Sequence, residues 1–254
     1  MTLSPQLLDE VQWLRVAVYL VLGPIAVGHL CTYLKLRHGW ASGYTRKLNH
    51  LGIMLITAPL LAVLPDTQLI MSVLVATSLQ VVLYTSAAYS ERPLLHALAV
   101  HSLRERDAPR SRFFFLMPMI TTNVSLVAAV LLFPMLLVKI AFFTVAVADG
   151  MAEPVGLRFG KGNTYQIPDL VWGGRNTKSI AGSGAVFVLA LATSLLLLSW
   201  VHGLTPAVLL TCGAYATAMT LLEAVSPRGS DNMLMILLGP LFLMGLMHVT
   251  ALAS

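Results

Sequence analysis

The 254-residue chain is 57% hydrophobic and only 11% charged, with a formal net charge of +5 and a mean hydropathy of +0.80. Soluble domains average roughly 25% charged residues, so a water-soluble fold is excluded and an all-α, polytopic membrane helix bundle is expected. The positive charge does not point to nucleic acid, because the basic residues sit in short connections between apolar segments, where positive-inside bias accounts for them; anionic lipid and a nucleotide are the expected counter-charges.

About eight spans of roughly 20 residues each would fill the chain, so residues 1–254 read as a single integral membrane domain. Asp9 and Glu10 stand where a cleaved leader would be basic, and no small-residue cleavage pattern follows, so the first apolar stretch reads as a retained span. Apolar segments lie near 13–34, 51–64, 68–89, 113–132, 134–148, 179–200, 205–222 and 232–252. Those at 51–64 and 134–148 are short for a hydrocarbon core of about 30 Å. They are expected to tilt little, borrow flanking residues or form a re-entrant element.

With eight crossings, the connections 35–50, 90–112, 149–178 and 223–231 share one face and carry 4, 5, 4 and 1 Lys or Arg residues. The opposite connections carry none, and only Arg15 and Lys139 of the 16 basic residues remain. The four basic connections are therefore expected to be cytoplasmic, with both termini outside. Lys139, inside the fifth span, would snorkel or pair with an internal carboxylate. Pro59, Pro118, Pro134 and Pro240 interrupt helical hydrogen bonding locally, which bundle packing tolerates.

In the connection 90–112, LLHALAVHSL reads as a short amphipathic interfacial helix or solvated connector ahead of RERDAPRSR. Cys31 and Cys212 lie in apolar segments without CxxC spacing and read as small core residues. His29, His96, His101, His202 and His248 lack carboxylate spacing for a metal centre and read as packing or interfacial residues.

The polar clusters concentrate the chemistry. Asp149 closes an apolar helix and Glu153 follows four residues later, so one further helical turn puts both carboxylates on one face. Such a pair raises its own pKa unless a divalent cation keeps both ionised; Mg²⁺ binding is one reading, and helix-end solvation or pairing with Arg158 and Lys161 is the other. In GLRFGKG, Gly156, Gly160 and Gly162 flank Arg158 and Lys161, a pattern that permits close phosphate approach without being a P-loop.

GGRNTKSIAGSG leads into the sixth span, with Thr177 or Ser179 as its cap and Lys178 placed to hold an anion. Gly182, Ser183 and Gly184 serve equally well for close helix packing. Glu223 ends the seventh span, and Asp231 with Asn232 begins the eighth, where an aspartate can also be an ordinary N-cap. Arg46, Lys47 and His50 precede the second span. Arginine offers a planar fork for phosphate and histidine a proton relay, while positive-inside anchoring explains the two cations as well.

The order RKLNH, VADGMAEPVGLRFGKG, TKSIAGSGAVF, EAVSPRGSDN, over roughly 46–240, resembles the CTP-dependent polyprenol and lipid kinase family, which includes dolichol kinases, phytol or farnesol kinases and yeast-type diacylglycerol kinases. The resemblance implies transfer of the terminal phosphate of a nucleotide, usually CTP, to a hydrophobic alcohol, with phytol-like or other isoprenoid alcohols favoured. It implies catalytic roles for Asp149, Lys161, Lys178 and Asp231, and Mg²⁺ held from Asp149, Glu223 and Asp231, to which the helical spacing from Asp149 adds Glu153. Arg46, Lys47, His50, Gly156, Gly160, Gly182, Ser183 and Asn232 would line the nucleotide site. Ala148 stands where the family has glycine before the aspartate, and Ala181 replaces an acidic residue in the KS-x-x-GS run.

Two other functions compete. A CTP:phosphatidate cytidylyltransferase would use similar cations and a similar lipid entrance, but the late aspartate-rich signature associated with it is absent. A transporter would require essential polar groups near the bilayer midplane, whereas the polar groups here gather at span ends on one face.

Overall fold

In the computed structural model, residues 5–103 and 107–252 are described, with side chains at 14–59, 64–103 and 107–252. Ten α-helices and a two-stranded hairpin follow one another among them: α1 Pro5–His38, α2 Ser42–Val63, α3 Asp66–Tyr89, α4 Pro93–Val100, α5 Ser111–Leu132, α6 Met135–Thr144, α7 Gly150–Phe159, β1 Thr164–Pro168, β2 Arg175–Ser179, α8 Ile180–His202, α9 Pro206–Val225 and α10 Asp231–Val249. Seven helical stretches among the described residues are long and apolar enough to cross a membrane, α6 and α7 counting as one continuous stretch, Met135–Phe159. The protein is an all-α, multi-pass membrane helix bundle.

The expected span at 51–64 is the second half of α2, which is not among those seven; its first half carries Arg46, Lys47, Asn49 and His50 inside the helix rather than in a loop. Side chains 60–63 of α2, and residues 104–106 of the RERDAPRSR connection, lie outside the described residues. The short span expected at 134–148 gains its length by running on through a π-helical turn, Val145–Asp149, into α7.

The chain forms two compact units, 1–127 and 128–254. In the first, α1 packs against α2, α3 and α4, and Tyr84, Ala87, Ala88, Leu98, Ala99, Phe115 and Leu116 form a buried core. The C-terminal end of α4 is fastened by polar side chains. Lys35 Nζ donates to the carbonyls of Val100 (2.8 Å) and Leu103 (2.9 Å), and Thr45 donates to that of His101 (2.8 Å). A cation on the last carbonyls of a helix satisfies orphan acceptors and opposes the negative end of its dipole. The His101 ring is fully buried, and burial with the nearby Lys35 charge lowers its pKa to about 4, so it stays neutral.

In the second unit, α8 and α9 form the principal helix pair and α10 packs on α9 and α6. Every fourth residue of α8 faces inward: Gly182, Val186, Ala190, Ser194 and Leu198 are buried. Cys212, Tyr215, Ala216 and Met219 are buried on α9. Small residues along such a seam let membrane helices approach closely where burial against lipid supplies little drive. Leu196 and Trp200 of α8 and Leu210 of α9 are turned out of this unit.

The helix ends follow their sequence signals. Ser179 is extended and accepts a hydrogen bond from Gly182 N–H (3.1 Å), capping α8. Gly203 ends α8 at φ +71°, a left-handed conformation that favours glycine. Thr205 then caps α9 at Val208 N–H (3.2 Å), with Pro206 in the first turn.

Candidate functional site

One end of the C-terminal unit gathers charge from three segments far apart in sequence. The π-helical turn finishes at Asp149, which is 2% exposed. A π turn adds a residue to a helical turn and changes which way the following side chains point; such turns recur at functional sites. The backbone continues helically into α7, so Glu153 follows one turn on, half-buried.

From β2, Lys178 reaches the end of α9. Its ammonium forms an ion pair with the Glu223 carboxylate and donates to the Glu223 carbonyl at 3.0 Å. Burial would lower the Lys178 pKa, but the carboxylates of Glu223, Asp231 and Asp149 more than offset it, and the pKa is raised. Glu223, Asp231 and Asp149 are therefore all close enough for Lys178 to sense their charge.

Asp231 opens α10, accepting its neighbour's N–H (Asn232 N to Asp231 Oδ1, 3.1 Å). Asn232 is 9% exposed, and its buried Oδ1 has no hydrogen-bond partner in the protein. A buried amide oxygen of this kind is costly unless something donates to it or coordinates it. Among the described residues no three His, Cys, Asp or Glu side chains form a group that could hold a metal ion alone. Mg²⁺ is commonly held by one or two carboxylates together with substrate phosphates rather than by an all-protein cage. The carboxylates here and the orphaned Asn232 oxygen fit that mode.

The glycines take a definite place. A methyl group on Gly160 would fall 2.3 Å from the Gly156 carbonyl oxygen and 2.5 Å from Ser179, and one on Gly182 would fall 2.9 Å from the Ala152 carbonyl oxygen. A methyl on Gly156 would meet Ser179 Oγ at 2.8 Å. These three glycines let α7 lie directly against the capped start of α8. Gly162, by contrast, faces open space, and Lys161 beside it is exposed.

Ser183 is half-buried on α8 and shares a 2.6 Å hydrogen bond with Tyr165 Oη, tying β1 to α8. Tyr165 is also the antiparallel partner of Lys178, so the strand that carries the lysine is braced from the side. Arg46, Lys47 and His50 belong to α2 of the N-terminal unit; Lys47 is buried, and the other two are half-buried.

Sequence reasoning missed the hairpin and Asp169 at its tip. Asp169 is 5% exposed, and its carboxylate accepts from the backbone N–H of Val171 (3.2 Å), Trp172 (3.0 Å) and Arg228 (3.1 Å) and from Asn176 Nδ2 (3.0 Å). Burial alone would raise its pKa, yet these donors hold it below the usual carboxylate range. Alternation in TYQIP and RNTKS around a Pro-Asp and Gly-Gly turn was the available signal. No family model matches the chain, and no curated protein and no solved structure is found to be similar to it.

Proposed function

We propose that this chain is a membrane-embedded, CTP-dependent kinase that transfers a terminal phosphoryl group to the hydroxyl of an isoprenoid or lipid alcohol, phytol or polyprenol type. The observation that carries this reading is the convergence of Asp149, Lys178, Glu223 and Asp231, from three separate motifs, at one end of a helix bundle. Phosphoryl transfer asks little covalent chemistry of a protein and depends on positioning and charge stabilisation.

Lys178 suits that task. An ammonium has three donor protons, and two are committed to the Glu223 carboxylate and carbonyl; the third is left for a phosphoryl oxygen, on a side chain already immobilised. Lys161, exposed on the turn after α7, would contact the outer phosphates. Arg46, Lys47 and His50 are assigned to nucleotide binding on the resemblance alone. Asp149, Glu153, Glu223 and Asp231, with Asn232, would hold Mg²⁺, which when bound neutralises nucleotide phosphate charge. The alcohol would enter laterally from the cytoplasmic leaflet, so that its tail never leaves lipid.

The test is phosphorylation by purified protein in lipid, using labelled CTP or ATP against phytol, farnesol, longer polyprenols and diacylglycerol. CDP with a lipid phosphate supports the kinase. Pyrophosphate release with a CDP-lipid from phosphatidate would replace it by a cytidylyltransferase, and no turnover of any pair would reject both.

A further inference from the structure

The β1–β2 hairpin touches the end of α9 and the α9–α10 connection at two separated points. At its base, Lys178 grips Glu223 at the end of α9. At its tip, Asp169 accepts the Arg228 N–H, and Trp172 Nε1 donates back to the Arg228 carbonyl at 3.2 Å. Between these points the five residue pairs from Thr164–Ser179 to Pro168–Arg175 keep the two strands in register. A short two-stranded ribbon is marginal by itself, so its attachments decide where Lys178 lies.

The Asp169 carboxylate organises the tip in two directions at once. One oxygen folds the turn by accepting the Val171 and Trp172 amides, and the other joins Asn176 on β2 to Arg228 in the α9–α10 connection. That connection leads directly to Ser230, Asp231 and Asn232. A single buried anion therefore couples the strand bearing Lys178 to the segment bearing Asp231.

We infer that Asp169 is a positioning residue, whose carboxylate latches the hairpin tip to the α9–α10 connection and so holds the Lys178 ammonium in register with Glu223 and Asp231 for phosphoryl transfer. The catalytic half of this inference rests on the kinase reading; the mechanical half does not. Asp169 touches no reacting group, and its influence reaches the site through the ribbon and through the α9–α10 connection.

The experiment uses the full chain in lipid nanodiscs. Brief acetylation with acetic anhydride followed by mass spectrometry reads Lys178 labelling against the exposed Lys161 as internal standard. In Asp169→Asn, loss of the charged acceptor is expected to raise the Lys178-to-Lys161 labelling ratio about tenfold. Turnover should fall about tenfold in kcat with the KM for the alcohol unchanged. Asn176→Ala removes one donor without touching the carboxylate, and should move both quantities the same way by less.

A latch that merely stabilised the fold would reduce the folded fraction but leave the ratio unchanged within folded molecules. An unchanged ratio in folded Asp169→Asn therefore overturns the inference, as does a raised ratio with unchanged kcat. A raised ratio in a protein whose parent turns over no alcohol supports the latch and rejects the kinase instead.

Discussion

At the scale of single residues, Lys178 and Glu223 are the most exacting pair. Both are largely enclosed, at 21% and 7% side-chain exposure, and removing one partner strands the other's charge. Breaking a buried pair in this way costs about 3–5 kcal/mol, so Lys178→Met should lower the unfolding midpoint in detergent sharply. Glu223→Gln keeps the shape and the Glu223 carbonyl acceptor, and its cost should be closer to about 1–3 kcal/mol. Equal, negligible shifts for both would mean that the pair is solvent-exposed. Asp149→Asn is nearly isosteric; it should insert and fold, yet lose activity by at least about a hundredfold.

Asp169 adds a pH dependence whose sign follows from its lowered pKa. A carboxyl more acidic in the folded state than in the unfolded chain contributes stability above its unfolded pKa, about 4. That contribution is lost as the pH falls through the still lower folded value. The wild-type midpoint should therefore drop on acidification below about pH 4 by more than that of Asp169→Asn, in which this titration is absent. Parallel pH curves would show that the four hydrogen bonds at Asp169 do not favour its ionised form.

At the scale of elements, the glycines separate packing from phosphate contact. Gly160→Ala places a methyl against the Gly156 carbonyl of α7's own last turn and against Ser179 at the start of α8. Overpacking of that kind costs about 1–3 kcal/mol and should show as a lowered unfolding midpoint. Gly162→Ala meets open space, so its midpoint should stay put. If Gly162→Ala nevertheless raises the KM for the nucleotide, the exposed turn with Lys161 is the phosphate contact and the buried glycines serve the helix junction.

The elements also show where sequence was legible and where it was not. Span existence was readable because 20 apolar residues in lipid have few alternatives to a helix. The charge of the early cluster RKLNH suggests a water-exposed loop, whereas α2 begins at Ser42 and carries these residues as helix. The π turn at Val145–Asp149 has no composition that distinguishes it from plain helix, being all alanine and valine up to the aspartate. The hairpin lies inside a segment whose cations and glycines are its most visible sequence feature. Long-range pairings such as Lys178 with Glu223, 45 residues apart, followed from shared membrane sidedness in outline, but their partners required the fold.

At the scale of the whole molecule, the charge distribution makes a claim about sidedness that needs no catalytic assumption. In the C-terminal unit, the hairpin and the α9–α10 connection meet at Asp169 and Arg228, so both lie at the same end of α8 and α9. The α8–α9 turn around Gly203 and Leu204 is at the far end of two helices of 23 and 20 residues. Those lengths correspond to about 30–35 Å at 1.5 Å per residue, enough to cross the hydrocarbon core. Native Cys31 and Cys212 are buried, so they should give little background to a membrane-impermeant thiol reagent. A cysteine replacing Gly162, where nothing crowds the site, should then react in inside-out vesicles and stay silent in intact cells. A cysteine replacing Leu204, which is 71% exposed, should do the reverse. Reaction of both from one side would mean that α8 and α9 do not cross the membrane, and reversal of both would put the hairpin and the α9–α10 connection outside, against the kinase proposed above.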